Sequence, residues 1–141
     1  MKKFSMILGA LLLVIGFSAC SGMKDGTYTA KSDSLDEHGY ADQVTVTIDS
    51  GKIVAVAIDS LDADGQKKSD LSKNGIYDMS VAGAQWPWHE QVENLATYLV
   101  KNQGAKIESF EDGKTDAISG CTIAVQGIIE LFNEAVAQAS K

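Results

Sequence analysis

Residues 116–122 read Asp-Ala-Ile-Ser-Gly-Cys-Thr, a run that gathers a carboxylate (Asp116), two hydroxyls (Ser119 and Thr122), a thiol (Cys121) and a residue with no side chain (Gly120). Behind it, Val125, Ile128, Ile129, Phe132, Val136 and Ala139 recur at helical spacing and make one apolar stripe. In front of it, the Glu-Asp-Gly-Lys of 111–114 reads as a turn. The run is therefore expected to open the last helix, where unpaired backbone N–H groups and the positive dipole end favour an anion such as a phosphate. Gly120 would let that group approach the backbone closely, Ser119 can donate to one of its oxygens, and Thr122 offers the hydroxyl that a phosphoester needs. The plainer alternative is that Ser119 or Thr122 is only the helix N-cap.

Competing chemistry is sparse. Cys20 and Cys121 are the two cysteines, and no CxxC or metal-type cluster occurs. Asp62-x-Asp64-Gly65 has the look of an opening calcium loop, but further spaced ligands are missing and Lys73 stands where a closing glutamate would be needed. His38 lies in an acidic loop and reads as solvated, and His89 reads as a surface residue. No nucleophile–base constellation stands out, so a self-sufficient enzyme is not expected.

The N-terminus carries a different message. Lys2 and Lys3 precede an apolar run over 6–17, too short to span a bilayer comfortably, which ends at Ser18-Ala19-Cys20. Small residues before a cysteine mark a bacterial lipoprotein signal, cleaved before the cysteine, whose thiol then carries a diacylglycerol. Phe17 departs from the leucine usual three positions before the cysteine, which leaves an ordinary secretory signal as the alternative. The expected organisation is a signal peptide over 1–19, the lipidated Cys20 with a short tether over 20–24, and one domain over 25–141. Such a tether reaches no more than about 15–20 Å, which holds the domain close to the outer face of its membrane. Loss of 1–19 removes two lysines and no acid, taking the net charge from −7 to −9, and the chain has no arginine. So acidic a domain excludes nucleic acid as a partner and is repelled by anionic lipid, leaving the acyl chain to hold it. With Cys20 acylated, Cys121 has no intramolecular disulfide partner.

The remaining segments must position the 116–122 run. A strand is expected over 25–30 with Tyr28 as its core anchor, followed by an acidic loop over 32–42. Val44, Val46 and Ile48 alternate with Thr45 and Thr47, a half-buried strand, and Asp49-Ser50-Gly51-Lys52 supplies a hairpin turn. The returning strand sets Val54, Val56 and Ile58 on one face and alanines on the other, as in a central strand or one covered by a helix. Residues 59–80 read as a polar functional loop. Pro87 then starts a helix whose Trp88, Val92, Leu95 and Leu99 face inward and which Gly104 caps; 105–110 reads as a last strand. Gly127 costs the terminal helix about 1 kcal/mol relative to alanine, which suggests close packing against the sheet or a ligand.

The pattern Asp116-x-x-Ser119-Gly120-x-Thr122 before a C-terminal helix resembles the flavinylation motif of the FMN-binding domain family, and the Asp-Gly-x-Tyr opening at 25–28 and the central hairpin agree with its lipoprotein branch. That family includes FMN-bearing subunits of sodium-pumping NADH:quinone oxidoreductases. The resemblance implies that Thr122 carries FMN through a phosphoester installed from FAD by a magnesium-dependent flavin transferase, with Asp116 as the acidic recognition residue. It makes Ser119, Gly120 and Cys121 cofactor neighbours, Cys121 standing where alanine is usual and Ala124 where a second hydroxyl is common. Trp86 and Trp88 either pack at the helix start or bring one ring, Trp86, near the isoalloxazine. The expectation is thus an α+β domain, an antiparallel sheet packed by two helices, that relays electrons from a membrane donor such as a quinone-linked oxidoreductase. A flavin-free surface lipoprotein that binds a ligand is the alternative, and a reductase using the 59–80 loop as part of a substrate pocket is a third reading.

Overall fold

The computed structural model describes residues 22–105, 107 and 110–141. The expected signal peptide and Cys20 lie outside them, as do residues 106, 108 and 109 of the strand expected over 105–110. Strands β1 (Gly26–Lys31), β2 (Ala41–Asp49) and β3 (Lys52–Leu61) form an antiparallel sheet in the order β1-β2-β3. Val44, Val46 and Ile48 point into the core at 0–2% exposure, as their alternation with threonines requires. The β2–β3 turn needs positive φ at both central residues, met by Ser50 (φ 54) and Gly51 (φ 74). Asp25 Oδ1 accepts the Gly51 N–H at 3.0 Å, tying the entry of β1 to that turn.

β3 departs from the sequence expectation in which residues face inward. A bulge opposite Thr47/Ile48 shifts the alternation, so Ile53 is buried while Val54 is 50% exposed. Of the two expected settings, central or covered by a helix, the strand takes the second: it is an edge of the described sheet with the Trp88–Asn102 helix against it, although Ala55 and Ala57 are exposed. The expected loop over 59–80 is corrected as well: β3 runs on to Leu61, and a short helix α1 (Lys68–Lys73) and a 3-10 turn (Met79–Ala82) follow. Tertiary bonds hold α1 where propensity does not. The Asp59 carboxylate accepts the N–H of Ser69 at 3.0 Å and its hydroxyl at 2.5 Å.

Helix α2 (Trp88–Asn102) lies against β3, and α3 (Gln126–Gln138) against β1 and β2. Trp88, Val92, Leu95 and Leu99 from α2 meet Ile128, Ile129, Phe132 and Ala135 from α3 and the sheet's inner face in one apolar core. α2 ends on Gln103 rather than Gly104, in the left-handed region at φ 54. Its side chain offsets that cost by bonding Ile53 N and O at 2.9 and 2.8 Å, standing in for a strand partner at the edge of β3. The end of α3 is fastened to the start of the domain, with Lys24 N–H donating to Ala139 O at 2.9 Å and Gln138 Nε2 to Thr29 O at 2.9 Å. No helix of the described residues is long and apolar enough to cross a membrane.

Candidate functional site

The 116–122 run does not open a helix. α3 begins at Gln126, and the run belongs to a loop closed at its base. That base is the turn at 111–114, where Glu111 and Lys114 exchange backbone hydrogen bonds at 2.9 Å and Asp112 (φ 53) and Gly113 (φ 75) take left-handed conformations. Gly113 O then accepts the N–H groups of Val125 (2.7 Å) and Gln126 (3.0 Å). Donors that a phosphate at the helix start would have used are thereby engaged, which is why the N-terminal anion site read from the sequence does not form at Ser119–Thr122.

A buried glutamine replaces the helix end as the organiser. Gln91 of α2 is 0% exposed. Its Oε1 accepts Thr122 N–H at 2.8 Å, Ile123 N–H at 3.2 Å and the Thr122 hydroxyl at 3.3 Å, while its Nε2 donates to Trp86 O at 2.8 Å. One side chain thus fixes Thr122 in register with the start of α2. Asn94, one turn on, donates from Nδ2 to Gly120 O at 2.9 Å. Gly120 sits at φ +72, and a Cβ there would meet Asn94 Nδ2 at 2.4 Å. The glycine is required both by the backbone conformation and by the approach of α2.

Thr122 remains exposed on this immobilised backbone, with Ser119 and Asp116 also exposed. Ile118 and Cys121 point inward at 5% and 3% exposure. Burial pushes the Cys121 thiol up to about 11, outweighing the Ile123 N–H, which pulls the other way. It is a packed, protonated group.

Two clefts meet at Thr122. The smaller, of about 460 Å³, has Trp86, Glu111, Asp112, Lys114, Asp116 and Thr122 in its wall. The larger, of about 620 Å³, is bounded by Lys68, Tyr77, Trp88, Lys114, Thr122 and Gly127, with Asp36, His38 and Asp42 at its acidic side. Both volumes are in the range of small-molecule sites. The structure therefore gathers Asp116, Gly120, Cys121, Thr122 and Trp86 around one cleft, while Ser119 is not in either wall. Gly127 does not pack against the sheet: nothing lies within 4 Å of the Cβ it lacks. It borders the larger cleft.

His89 is corrected from a surface residue to a half-buried one, with Nδ1 2.9 Å from Ser72 Oγ and its N–H 3.2 Å from the same oxygen. The sequence reading missed Gln91, Asn94 and Lys68. Gln91 had a signal, because it falls on the inward stripe of α2 between Trp88 and Leu95.

Residues 39–137 match the model of the family described as FMN-binding domain. A 15 kDa lipoprotein of Treponema pallidum (strain Nichols) is 28% identical over 131 residues, covering 92% of this chain and 83% of that protein. A solution NMR structure from Clostridium thermocellum has 44% identity and a TM-score of 0.64, covering 84% of this chain and 94% of its own. A crystal structure of a Clostridium perfringens protein has a TM-score of 0.65 at 21% identity, over 83% of this chain and 88% of its own, and shares the fold.

Proposed function

The chain belongs to the FMN-binding domain family, and from that premise we propose that it is a lipid-anchored, extracytosolic electron-transfer flavoprotein whose FMN is esterified through its phosphate to Thr122. The observation that carries the reading is the state of Thr122: an exposed residue whose backbone N–H and hydroxyl are both held by Gln91, at the junction of two clefts.

The residues present fit the group. Both clefts border Thr122, and Lys114 lines both and supplies a cation for a phosphate. In maturation the Thr122 Oγ1–P bond forms as the pyrophosphate bond of FAD breaks; AMP leaves, and the hydroxyl proton passes to a base of the flavin transferase. Gln91 cannot serve as that base. It holds Thr122 so that its oxygen presents outward while the proton is donated to Oε1. The bound flavin supplies the redox chemistry, and an exposed attachment point leaves it reachable by a membrane donor and its acceptor. Covalent attachment suits an exported chain, since a lost cofactor would not be replaced there.

The lipid anchor at Cys20 is supported by the signal-like N-terminus and by the lipoprotein relative. The test is co-production of the mature domain with a flavin transferase, followed by a denaturing gel. A fluorescent band that disappears in Thr122→Val is expected; no fluorescence, or fluorescence retained in Thr122→Val, contradicts the assignment.

A further inference from the structure

Lys68 is the one buried charged residue among the described residues, at 7% exposure. Its Nζ stands 4.5 Å from the ring centroid of Tyr40, 4.5 Å from that of Tyr77 and 5.1 Å from that of Trp88. Tyr40 and Tyr77 meet edge-on at 86°, so the rings wall the ammonium from different directions. A lysine ordinarily extends its head to water. This one is held in, and no described carboxylate forms an ion pair with it. Asp36 feels its charge electrostatically, and the Asp36 carboxylate is engaged by the N–H groups of His38 (2.8 Å) and Tyr40 (2.9 Å). Asp42, the other acid on this cleft, accepts the Ser60 hydroxyl. A caged cation without a paired counter-ion therefore lines the larger cleft that Thr122 borders.

The two clefts differ in charge. Three carboxylates face one lysine in the smaller, whereas two carboxylates face two lysines in the larger; Trp86 lines the smaller, and Tyr77, Trp88 and the open side of Gly127 line the larger. A flavin joined at Thr122 brings a phosphate and, on taking up two electrons and one proton, a further negative charge on its ring. We propose that the ring occupies the larger cleft and that Lys68 is the positioning residue whose fixed charge sets its reduction potential, an inference that rests on the FMN assignment above. A cation held in a water-poor cage stabilises the reduced, anionic ring more than the neutral oxidised one, and so raises the potential.

The test is a spectroelectrochemical titration of the flavinylated domain, with dithionite as reductant, for the parent and for Lys68→Met, Lys68→Gln, Lys68→Arg and Asp36→Asn. Removing the charge should weaken the preference for reduced flavin about tenfold, a fall of about 30 mV for a two-electron couple. Lys68→Arg should hold within twofold of the parent. Asp36→Asn keeps its acceptor oxygen but loses the opposing charge, so its potential should rise, without any change in the cage. A Lys68→Met or Lys68→Gln domain that carries flavin at the parental level with less than a twofold change overturns the inference and leaves the FMN assignment intact. A parent without flavin overturns both.

Discussion

Gln91→Leu is the substitution that most sharply probes how the site is held. Leucine matches the volume and suits a position at 0% exposure, but it removes the hydrogen bonds to Thr122 N, Thr122 Oγ1, Ile123 N and Trp86 O and a long one to Met79 Sδ. The threonine groups are exposed and regain water, so their loss costs little. Ile123 N and Trp86 O are half-buried, and a buried polar group left unpaired costs about 1–3 kcal/mol. The expected loss is therefore about 2–6 kcal/mol, comparable to the stability of an ordinary domain at its upper end, and is read as a lower urea midpoint with an unchanged slope. The functional effect should exceed the stability effect. With the loop released from α2, Thr122 samples many positions, and flavin incorporation at conditions where the variant is folded should fall at least about tenfold. A variant within about 0.5 kcal/mol of the parent that is flavinylated at the parental rate would refute the role assigned to Gln91.

Gly120→Ala should cost about 1–2 kcal/mol from its left-handed backbone and more from the 2.4 Å clash with Asn94 Nδ2; adding Asn94→Ala should return the clash component only, measured as a double-mutant cycle in urea. Gly127→Ala should stabilise the flavin-free domain by about 0.5–1 kcal/mol, because its Cβ meets nothing within 4 Å, while lowering flavin yield through the cleft wall it borders. Cys121 has a folded pKa raised by burial from 9.0 to about 11, so its contribution is complete below pH 9 and is lost as pH rises through the folded value. The stability advantage of the parent over Cys121→Ala should shrink by about 1 kcal/mol between pH 9 and 10.

The hairpin of β2 and β3 was legible because alternation of valine with threonine, and a turn that demands positive φ, are local properties. The inward face of α2 and the stripe of α3 were legible for the same reason. What local pattern could not show is where polar side chains close long-range contacts. The 116–122 run looked like a helix start because apolar periodicity resumes just after it, yet Gly113 O takes the first helical N–H groups and Gln91 takes those of Thr122 and Ile123. α1 was invisible because six residues with Leu71 as their one apolar member form a helix only when Asp59 and the cage around Lys68 fasten them. The bulge at Thr47/Ile48 defeated strict alternation in β3. Thr122 was found by its neighbours in sequence, and the residues that hold it were found only by its neighbours in space.

The central claim is a single covalent bond at Thr122. Intact-mass spectrometry of the natively produced, mature protein and of Thr122→Val tests it most directly, with the flavin transferase shown to be active on another substrate. The parent should carry the acyl groups of Cys20 and the mass of one FMN less one water, and Thr122→Val should carry the acyl groups alone. A parent mass without the flavin increment, or an increment that survives in Thr122→Val, would contradict it.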